Sequence, residues 1–178
     1  MSGEAWISET APYLAPREPG QSDAWTGEAG RRGRKGGQRL LETGEVPAPA
    51  AVRAALRLAP GEPVVVRARL ILLDERPVEI ARSYYPVGIA RGTRLADPRK
   101  IPGGAVTLLH ELGYAVDAVT EDVSAGLADP QECDHLELPS GSAVLRLLRT
   151  TSAADGVAFE ASLMTMPAGR HLTYRLGK

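Results

Sequence analysis

Two arginines, a glutamate and a serine share the stretch between Val64 and Tyr85, and these four side chains could together bind an anion. Arg67 and Arg69 lie within a first apolar run, and Glu79 and Ser83 lie within a second. A guanidinium group presents a fork of N–H donors that matches the oxygens of a carboxylate or a phosphate. Charges inside apolar runs need partners, because an unpaired buried charge is costly. The residue types indicate either an anion pocket or a solvated sheet face with cross-strand ion pairs.

The two apolar runs flank the turn signal Asp74-Glu75-Arg76-Pro77 and predict an antiparallel β-hairpin. Because side chains alternate between the two faces of a strand, the register decides which of them meet. A three-residue loop pairs Arg67 with Ser83 and Arg69 with Ala81, and it gathers the four polar side chains on one surface. A two- or four-residue loop places the arginines and the glutamate on opposite faces. The clustering therefore depends on the register.

The composition narrows the class of protein. A length of 178 residues suits one domain with a terminal arm, and 21 Lys and Arg against 22 Asp and Glu argue against a general nucleic-acid coat. Cys133 is the single cysteine, and three scattered histidines offer no metal-ligand spacing. No signal peptide or membrane-length apolar run occurs in the sequence. We expect a soluble, cytoplasmic protein without a cofactor, a metal site or a membrane contact.

Residues 1–38 predict an irregular N-terminal arm, because they are rich in glycine, proline, serine and charge. Trp6, Tyr13 and Trp25 are the aromatic residues through which this arm could dock. The segment from Arg31 to Arg39 carries five positive charges and could contact a phosphate backbone. No recognition helix adjoins it, and most charge runs are simply solvated, so we do not expect direct DNA binding.

Residues 39–178 have the pattern of one α+β domain. The pattern predicts an antiparallel sheet of five or six strands with three or four short helices. An aspartate, a proline and a glutamate at 129, 130 and 132 predict a capped helix start. The predicted strands lie at 64–73, 78–85, 115–127, 143–151 and 157–166, with 40–46 as a plausible short strand and 171–176 as a segment that could add a last one. The predicted helices lie near 49–59, near 105–112 and after 129.

The order of motifs in this domain closely resembles the UTRA domain, the effector-binding half of GntR/HutC-type transcription regulators. The resemblance runs from about Arg39 to Leu176. The motifs that carry it are Leu58-Ala-Pro-Gly-Glu-Pro63, Ser83-Tyr-Tyr-Pro86, Ile101-Pro-Gly-Gly104, Glu111-Leu-Gly113 and Leu138-Pro-Ser-Gly141. The resemblance implies a chorismate lyase-like fold, a pocket on the sheet for a small metabolite, and a homodimer. The two arginines favour an anionic metabolite.

The resemblance also implies a set of ligand-binding residues and independently favours the clustered register of the hairpin. Where the family often has Ser or Thr before the helix that follows Pro102, this chain has Gly104, so only backbone N–H donors remain there. For Glu121 and Glu160, a structural salt bridge is an equal alternative to ligand contact. The expected ligand-binding residues are Arg67, Arg69, Glu79, Ser83, Gly104, Glu121, Glu160 and Tyr174.

Regulators of this family carry a winged helix-turn-helix before the effector domain, and residues 1–37 are too short and too rich in Gly and Pro to form one. We therefore expect indirect regulation of transcription, with a separate DNA-binding partner. The alternative is an enzyme that acts on a small carboxylate, with Glu79 as acid–base group. No spacing pairs a histidine or Cys133 with a catalytic partner, so no catalytic residue is expected.

Overall fold

The computed structural model describes residues 7–8, 13–18 and 20–174. Within these residues the strands are β1 (Ile7–Ser8), β2 (Gly36–Pro47), β3 (Pro63–Leu73), β4 (Arg76–Pro86), β5 (Ala118–Leu127), β6 (Ala143–Ser152), β7 (Ala158–Pro167) and β8 (His171–Leu172). The helices are α1 (Ala24–Arg31), α2 (Ala50–Ala55), α3 (Val87–Ala90), α4 (Ala105–Glu111) and α5 (Pro130–Leu136). The arm residue Trp6 and the end of the predicted last strand lie outside the described residues.

Two antiparallel three-stranded meanders make the main sheet. The strand order is β2-β3-β4-β7-β6-β5, so the meanders meet where β4 pairs with β7. The two-residue strands β1 and β8 form a separate parallel pair. The α+β class and the antiparallel sheet of up to six strands are thereby confirmed. Since β4 and β7 are flanked on both sides, their side chains occupy the centre of each face.

The loop between β3 and β4 has two residues, which is one of the lengths that the sequence left open. It consists of Asp74 and Glu75, which have φ values of 49° and 68°, as in the tight turns that suit the right-handed twist of hairpins. The register then shifts between Ile71 and Leu72 at a β-bulge. Pro77 has no N–H to donate to the ladder, which makes this the natural place for the bulge.

The turn and the bulge together produce the clustered register that a three-residue loop would give. With a two-residue loop and no bulge, the two arginines and Glu79 would lie on opposite faces of the sheet. The extra residue in β4 brings them back to the same face. The pairs are Arg67 with Ser83, Arg69 with Ala81, and Ile71 with Glu79. The clustered register that the family resemblance favoured is therefore confirmed, and the chain reaches it with a two-residue loop and a bulge.

Part of the predicted irregular arm is helical, which corrects that prediction for Ala24–Arg31. Asp23 caps this helix with its carboxylate. Trp25 is buried, and its indole N–H donates to the backbone carbonyl of Leu72 at 2.8 Å. Two glycines lower the intrinsic helix propensity of the segment, so its sequence gives little sign of a helix. Packing of Trp25 against the sheet supplies the missing stability.

The sheet is covered on both faces. On one face, α2 and α5 pack over side chains such as Val64, Ala68 and Leu70. The opposite face carries the alternate residues of β3, including Arg67 and Arg69, and is covered by α1, α3 and α4. We call this second face the cavity face. Its apolar side chains form two clusters, one around Trp25 and one around Phe159.

The predicted capped start of α5 is present. The side chain of Asp129 accepts from the Glu132 N–H at 2.7 Å, and Glu132 accepts from the Asp129 N–H at 3.0 Å. The buried Glu132 carboxylate also accepts from Thr165 at 2.9 Å and from Arg146 at 2.7 Å. This carboxylate therefore joins α5 to β6 and β7.

Candidate functional site: a cavity on the sheet

A cavity of about 180 Å³ lies between the cavity face and the segments that cover it. Its floor comes from β3, β4, β6 and β7, and its roof comes from residues 13–17, the start of α1 and the start of α4. The volume corresponds to roughly a dozen water-sized positions. A cavity of this size suits a small metabolite.

Cross-strand pairing places five polar residues in one row across the sheet. Arg67 on β3 lies opposite Ser83 on β4, which lies opposite Ser162 on β7. Ser162 in turn lies opposite Arg149 on β6, which lies opposite Glu121 on β5. We call these residues the polar row. The antiparallel registers of four separate strand pairs are needed to assemble it.

The next row is largely apolar. Ala81 on β4 lies opposite Met164 on β7, and Met164 lies opposite Leu147 on β6. We call these three residues the apolar row. All three line the cavity, and Arg69 stands at the β3 end of the same row, opposite Ala81. The polar row and the apolar row are two positions apart along each strand, because every second side chain of a β-strand lies on the same face.

A directed chain of hydrogen bonds runs along the floor from Arg69 to Glu160. Arg69 Nη2 donates to Ser83 Oγ at 3.0 Å, and the two serine Oγ atoms, of Ser83 and Ser162, lie 2.8 Å apart. Ser162 donates to Glu160 Oε1 at 3.0 Å, so Ser83 must donate to Ser162. The Tyr85 hydroxyl also donates to Glu160 Oε1, at 3.2 Å. Burial and the nearby carboxylate raise the pKa of Tyr85, which keeps it a donor.

Arg69 retains an unused donor at the cavity. Its Nε is buried and has no hydrogen-bond acceptor among residues 13–18 and 20–174. A buried donor without an acceptor costs free energy, and native structures rarely leave one unsatisfied. Because Arg69 lines the cavity, its guanidinium is a candidate donor to an acceptor group that enters the cavity.

Glu79 and Arg170 close another part of the wall. Arg170 Nη2 lies 3.5 Å from Glu79 Oε2, and the side chains are only 7% and 14% exposed, respectively. The Arg170 guanidinium also lies over the Trp25 ring, 5.5 Å from its centroid. Burial raises the pKa of the Glu79 carboxyl, and the guanidinium groups of Arg170, Arg149 and Arg69 offset this effect only in part.

Replacing Glu79 with glutamine should change how stability depends on pH. The folded-state pKa of Glu79 lies above its ordinary value of 4.5, so the unfolded chain releases this proton first. Its contribution to stability is complete below 4.5 and is lost as pH rises through the folded-state pKa. Glu79→Gln should therefore gain stability relative to the wild type as pH rises from 4.5, in urea unfolding at a series of pH values. The exposed Glu111→Gln is the control, and stability curves for Glu79→Gln and wild type that stay parallel would contradict the prediction.

Arg67 lies in the polar row, but its side chain leaves the cavity. Its guanidinium donates to the backbone carbonyls of Asp97 and Arg99, the latter at 2.7 Å. The residue is 5% exposed, and burial together with neighbouring Arg69 lowers its pKa. Arg67 thus holds the loop that leads to α4 and is not among the residues that line the cavity.

Glu121 and Tyr174 lie beside the cavity rather than in its wall. Glu121 Oε1 accepts from Arg149 Nε at 2.6 Å, which fixes a guanidinium that does line the cavity. Burial and a hydrogen bond to Glu121 raise the pKa of Tyr174 to about 12. The structure therefore places these two residues behind Arg149.

Of the expected ligand-binding residues, five line the cavity: Arg69, Glu79, Ser83, Gly104 and Glu160. Gly104 lies in the roof with a φ of 86°, which favours glycine. Its own N–H donates to the carbonyl of Ile101 at 3.1 Å. The expected backbone donor at this position is therefore engaged within the loop.

Sequence reasoning missed several lining residues. Ser162 and Arg149 lie on the strands of the final hairpin, and their alternation with Met164 and Leu147 was a signal that could have found them. Trp25 and Tyr13 come from the arm, where no period marks a buried face. The Tyr13 hydroxyl donates to the Glu28 carboxylate.

Metal-ligand clusters and membrane-length helices are both absent from residues 7–8, 13–18 and 20–174. No group of three His, Cys, Asp or Glu side chains in this part of the chain could hold a metal ion. The described helices include none with the length and hydropathy to span a membrane.

Comparison with known proteins assigns the family. The model of the UTRA domain matches residues 31–171. HTH-type transcriptional regulators of Streptomyces coelicolor and Rhizobium meliloti are 38% and 31% identical over 65% and 79% of this chain. The chain spans 44% and 57% of the lengths of these two relatives.

A solved structure shows the same fold. The effector domain of PhnF from Mycobacterium smegmatis superposes with a TM-score of 0.73 at 19% identity, covering 86% of this chain and 94% of that domain. At this identity the likeness concerns the fold alone. The match of the family model over most of the chain, on the antiparallel sheet described above, shows that the protein belongs to the UTRA domain family.

Proposed function

We propose that this chain is the effector-binding module of a GntR/HutC-type transcription regulator and that its cavity binds a small organic anion. One observation carries the proposal: Arg69 lines the cavity, and its buried Nε has no hydrogen-bond acceptor among the described residues. Arg69 already donates to Ser83 through Nη2, so its guanidinium is held in place before a ligand arrives. A preorganised guanidinium loses little entropy when it binds a carboxylate or a phosphate.

The charges around the cavity favour an anion over a cation. Its described lining includes four guanidinium groups and three carboxylates, which are Arg17, Arg69, Arg149 and Arg170, and Asp23, Glu79 and Glu160. Glu79 pairs with Arg170, and Glu160 accepts two hydroxyl donors. Two of the carboxylates are thus already engaged, while Arg69 still has a donor to offer. The relatives, which are named transcriptional regulators, support the regulatory role.

A thermal-shift screen of a metabolite collection sorted by charge tests the proposal. At a concentration 100 times its Kd, a ligand should stabilise the folded state by about 2.7 kcal/mol, which raises Tm by about 5 to 10 °C for a chain of this size. We expect the hits to carry a carboxylate or a phosphate. Hits that are neutral or cationic would contradict the proposal, and conversion of a hit seen by mass spectrometry would favour the enzyme alternative.

The family resemblance supports three further parts of the proposal. These are a cytoplasmic location, a homodimer and DNA reading by a separate unit. Among the described helices, the longest is α1 with eight residues, and no pair of them forms a helix-turn-helix. The basic segment is partly engaged within the chain, since Arg34 pairs with Asp74, and Lys35 lies 3.3 Å from Glu75.

The 178-residue chain by itself should therefore shift no duplex DNA in a gel at physiological salt. Surface cations that are already paired release fewer counterions on binding, which removes most of the electrostatic gain. The check is a gel shift over a range of salt concentrations, with sedimentation to report the subunit count. Sequence-selective retention that resists salt would contradict this expectation and point to the segment from Arg31 to Arg39.

A further inference from the structure

We propose that the anion is a small monocarboxylate with an apolar body, such as an arylalkanoate, rather than a sugar phosphate. The inference rests on the proposed function, because it places the carboxylate on Arg69. It adds that the rest of the ligand is apolar, because the surfaces around that guanidinium are apolar.

The apolar row supplies one side of the binding surface for the body. Ala81, Met164 and Leu147 continue the row that begins with Arg69, so a ligand anchored on the guanidinium and lying along this row passes over them. All three side chains are buried from bulk solvent yet face the cavity. Methionine has three rotatable bonds and adapts to the shape of an apolar group.

The opposite side of the cavity is also apolar. Trp25 reaches it from α1 and Leu109 from α4, and both are buried. A ligand body between the apolar row and these side chains has apolar atoms on both of its sides. Burying an apolar body there gains free energy in proportion to its area.

The polar groups around the cavity are mostly engaged with one another. Glu160 accepts from Ser162 and Tyr85, and the Glu79 carboxylate lies beside Arg170. A sugar buried here would need a partner for each hydroxyl, and each one left unsatisfied would cost affinity. The Arg69 Nε is buried and has no hydrogen-bond acceptor among the described residues, while its Nη2 donates to Ser83. One anionic group therefore satisfies the site better than several polar groups do.

Isothermal titration calorimetry of the full chain with four probes tests the inference. The probes are 3-phenylpropanoate, acetate, 3-phenylpropan-1-ol and glucose 6-phosphate. We expect 3-phenylpropanoate to bind at least about 100-fold more tightly than acetate, because its phenyl and methylene groups bury apolar area. The alcohol has the same body without the charge, and it should bind at least about tenfold more weakly than 3-phenylpropanoate.

A variant tests the location of the apolar body. Ala81→Leu adds bulk to the apolar row and should weaken 3-phenylpropanoate at least about tenfold, because the leucine occupies space beside Arg69. The matched control is Ala125→Leu, at an exposed position of β5 away from the cavity lining. It should leave the affinity unchanged. The comparison of probes on the wild type needs no variant, so it tests whether the cavity recognises an apolar body even if Ala81→Leu does not fold.

Each other outcome overturns the inference. Equal affinity for 3-phenylpropanoate and acetate, or unchanged affinity in folded Ala81→Leu, would show that no apolar body is recognised on this row. Tighter binding of glucose 6-phosphate would overturn the inference while leaving the proposed anion site intact. If neither carboxylate binds, the inference fails, and the charge-sorted screen decides separately whether the proposed function fails with it.

Discussion

Replacing Arg69 with alanine should lower the affinity for an anionic ligand by about 100-fold and leave the fold intact. Hydrogen bonds to a charged group contribute about 1.5 to 3 kcal/mol each, and the loss of about 2.7 kcal/mol corresponds to 100-fold. Arg69 makes one described side-chain hydrogen bond, to Ser83, so its removal breaks little of the folded structure. Titration calorimetry with an anion from the screen measures the effect, and urea unfolding measures the stability.

The matched control for this variant is Arg82→Ala. Arg82 belongs to the same hairpin, but it pairs with Ala68 and lies on the opposite face of the sheet. Its removal changes the net charge of the protein by the same amount and should leave the affinity near that of the wild type. If both variants lose affinity equally, the effect comes from overall charge, and Arg69 does not contact the ligand.

Replacing Arg67 with alanine should instead destabilise the fold by about 3 kcal/mol. The Arg67 guanidinium donates to the carbonyls of Asp97 and Arg99, and both charge-assisted hydrogen bonds would be lost. Relief of the buried charge returns part of this free energy, which is why the expected loss lies well below the upper limit for two such bonds. Urea unfolding at neutral pH measures the loss.

Arg67→Lys separates charge from geometry at this position. Lysine keeps the positive charge but has no planar fork that reaches two carbonyls at once, so it should recover only part of the lost stability. Full recovery with lysine would show that charge alone is needed. An alanine variant as stable as the wild type would mean that the carbonyls of the loop need no donor from β3.

These two arginines show what the pattern of a strand can and cannot predict. Arg67 and Arg69 share a face because side chains alternate, and the sequence predicted this without any structure. In the structure the Arg67 guanidinium donates to the carbonyls of Asp97 and Arg99, whereas Arg69 lines the cavity. Which acceptor a long side chain finds depends on a loop about thirty residues away along the chain, and no local pattern contains that information.

The same contrast applies to the rest of the fold. The strands, the hairpins and the capped start of α5 were predictable because their signals are local: alternation, turn residues and the box formed by Asp129 and Glu132. The helix at Ala24–Arg31 was not, because its stability depends on Trp25 packing against the sheet rather than on its own propensity. Likewise, the register between β3 and β4 depends on the bulge beside Pro77, and the number of loop residues does not reveal that bulge.

The sequence by itself determined the α+β class, the hairpins and the sharing of one strand face by Arg67 and Arg69, because each of these follows from residue spacing over a few positions. Only the tertiary structure decided that Ser162 and Arg149 complete the polar row, that α1 helps to roof the cavity, and that Arg67 holds a loop. The physical reason is that these relations join residues far apart in the chain through strand registers and packing, whose energies are shared by the whole sheet.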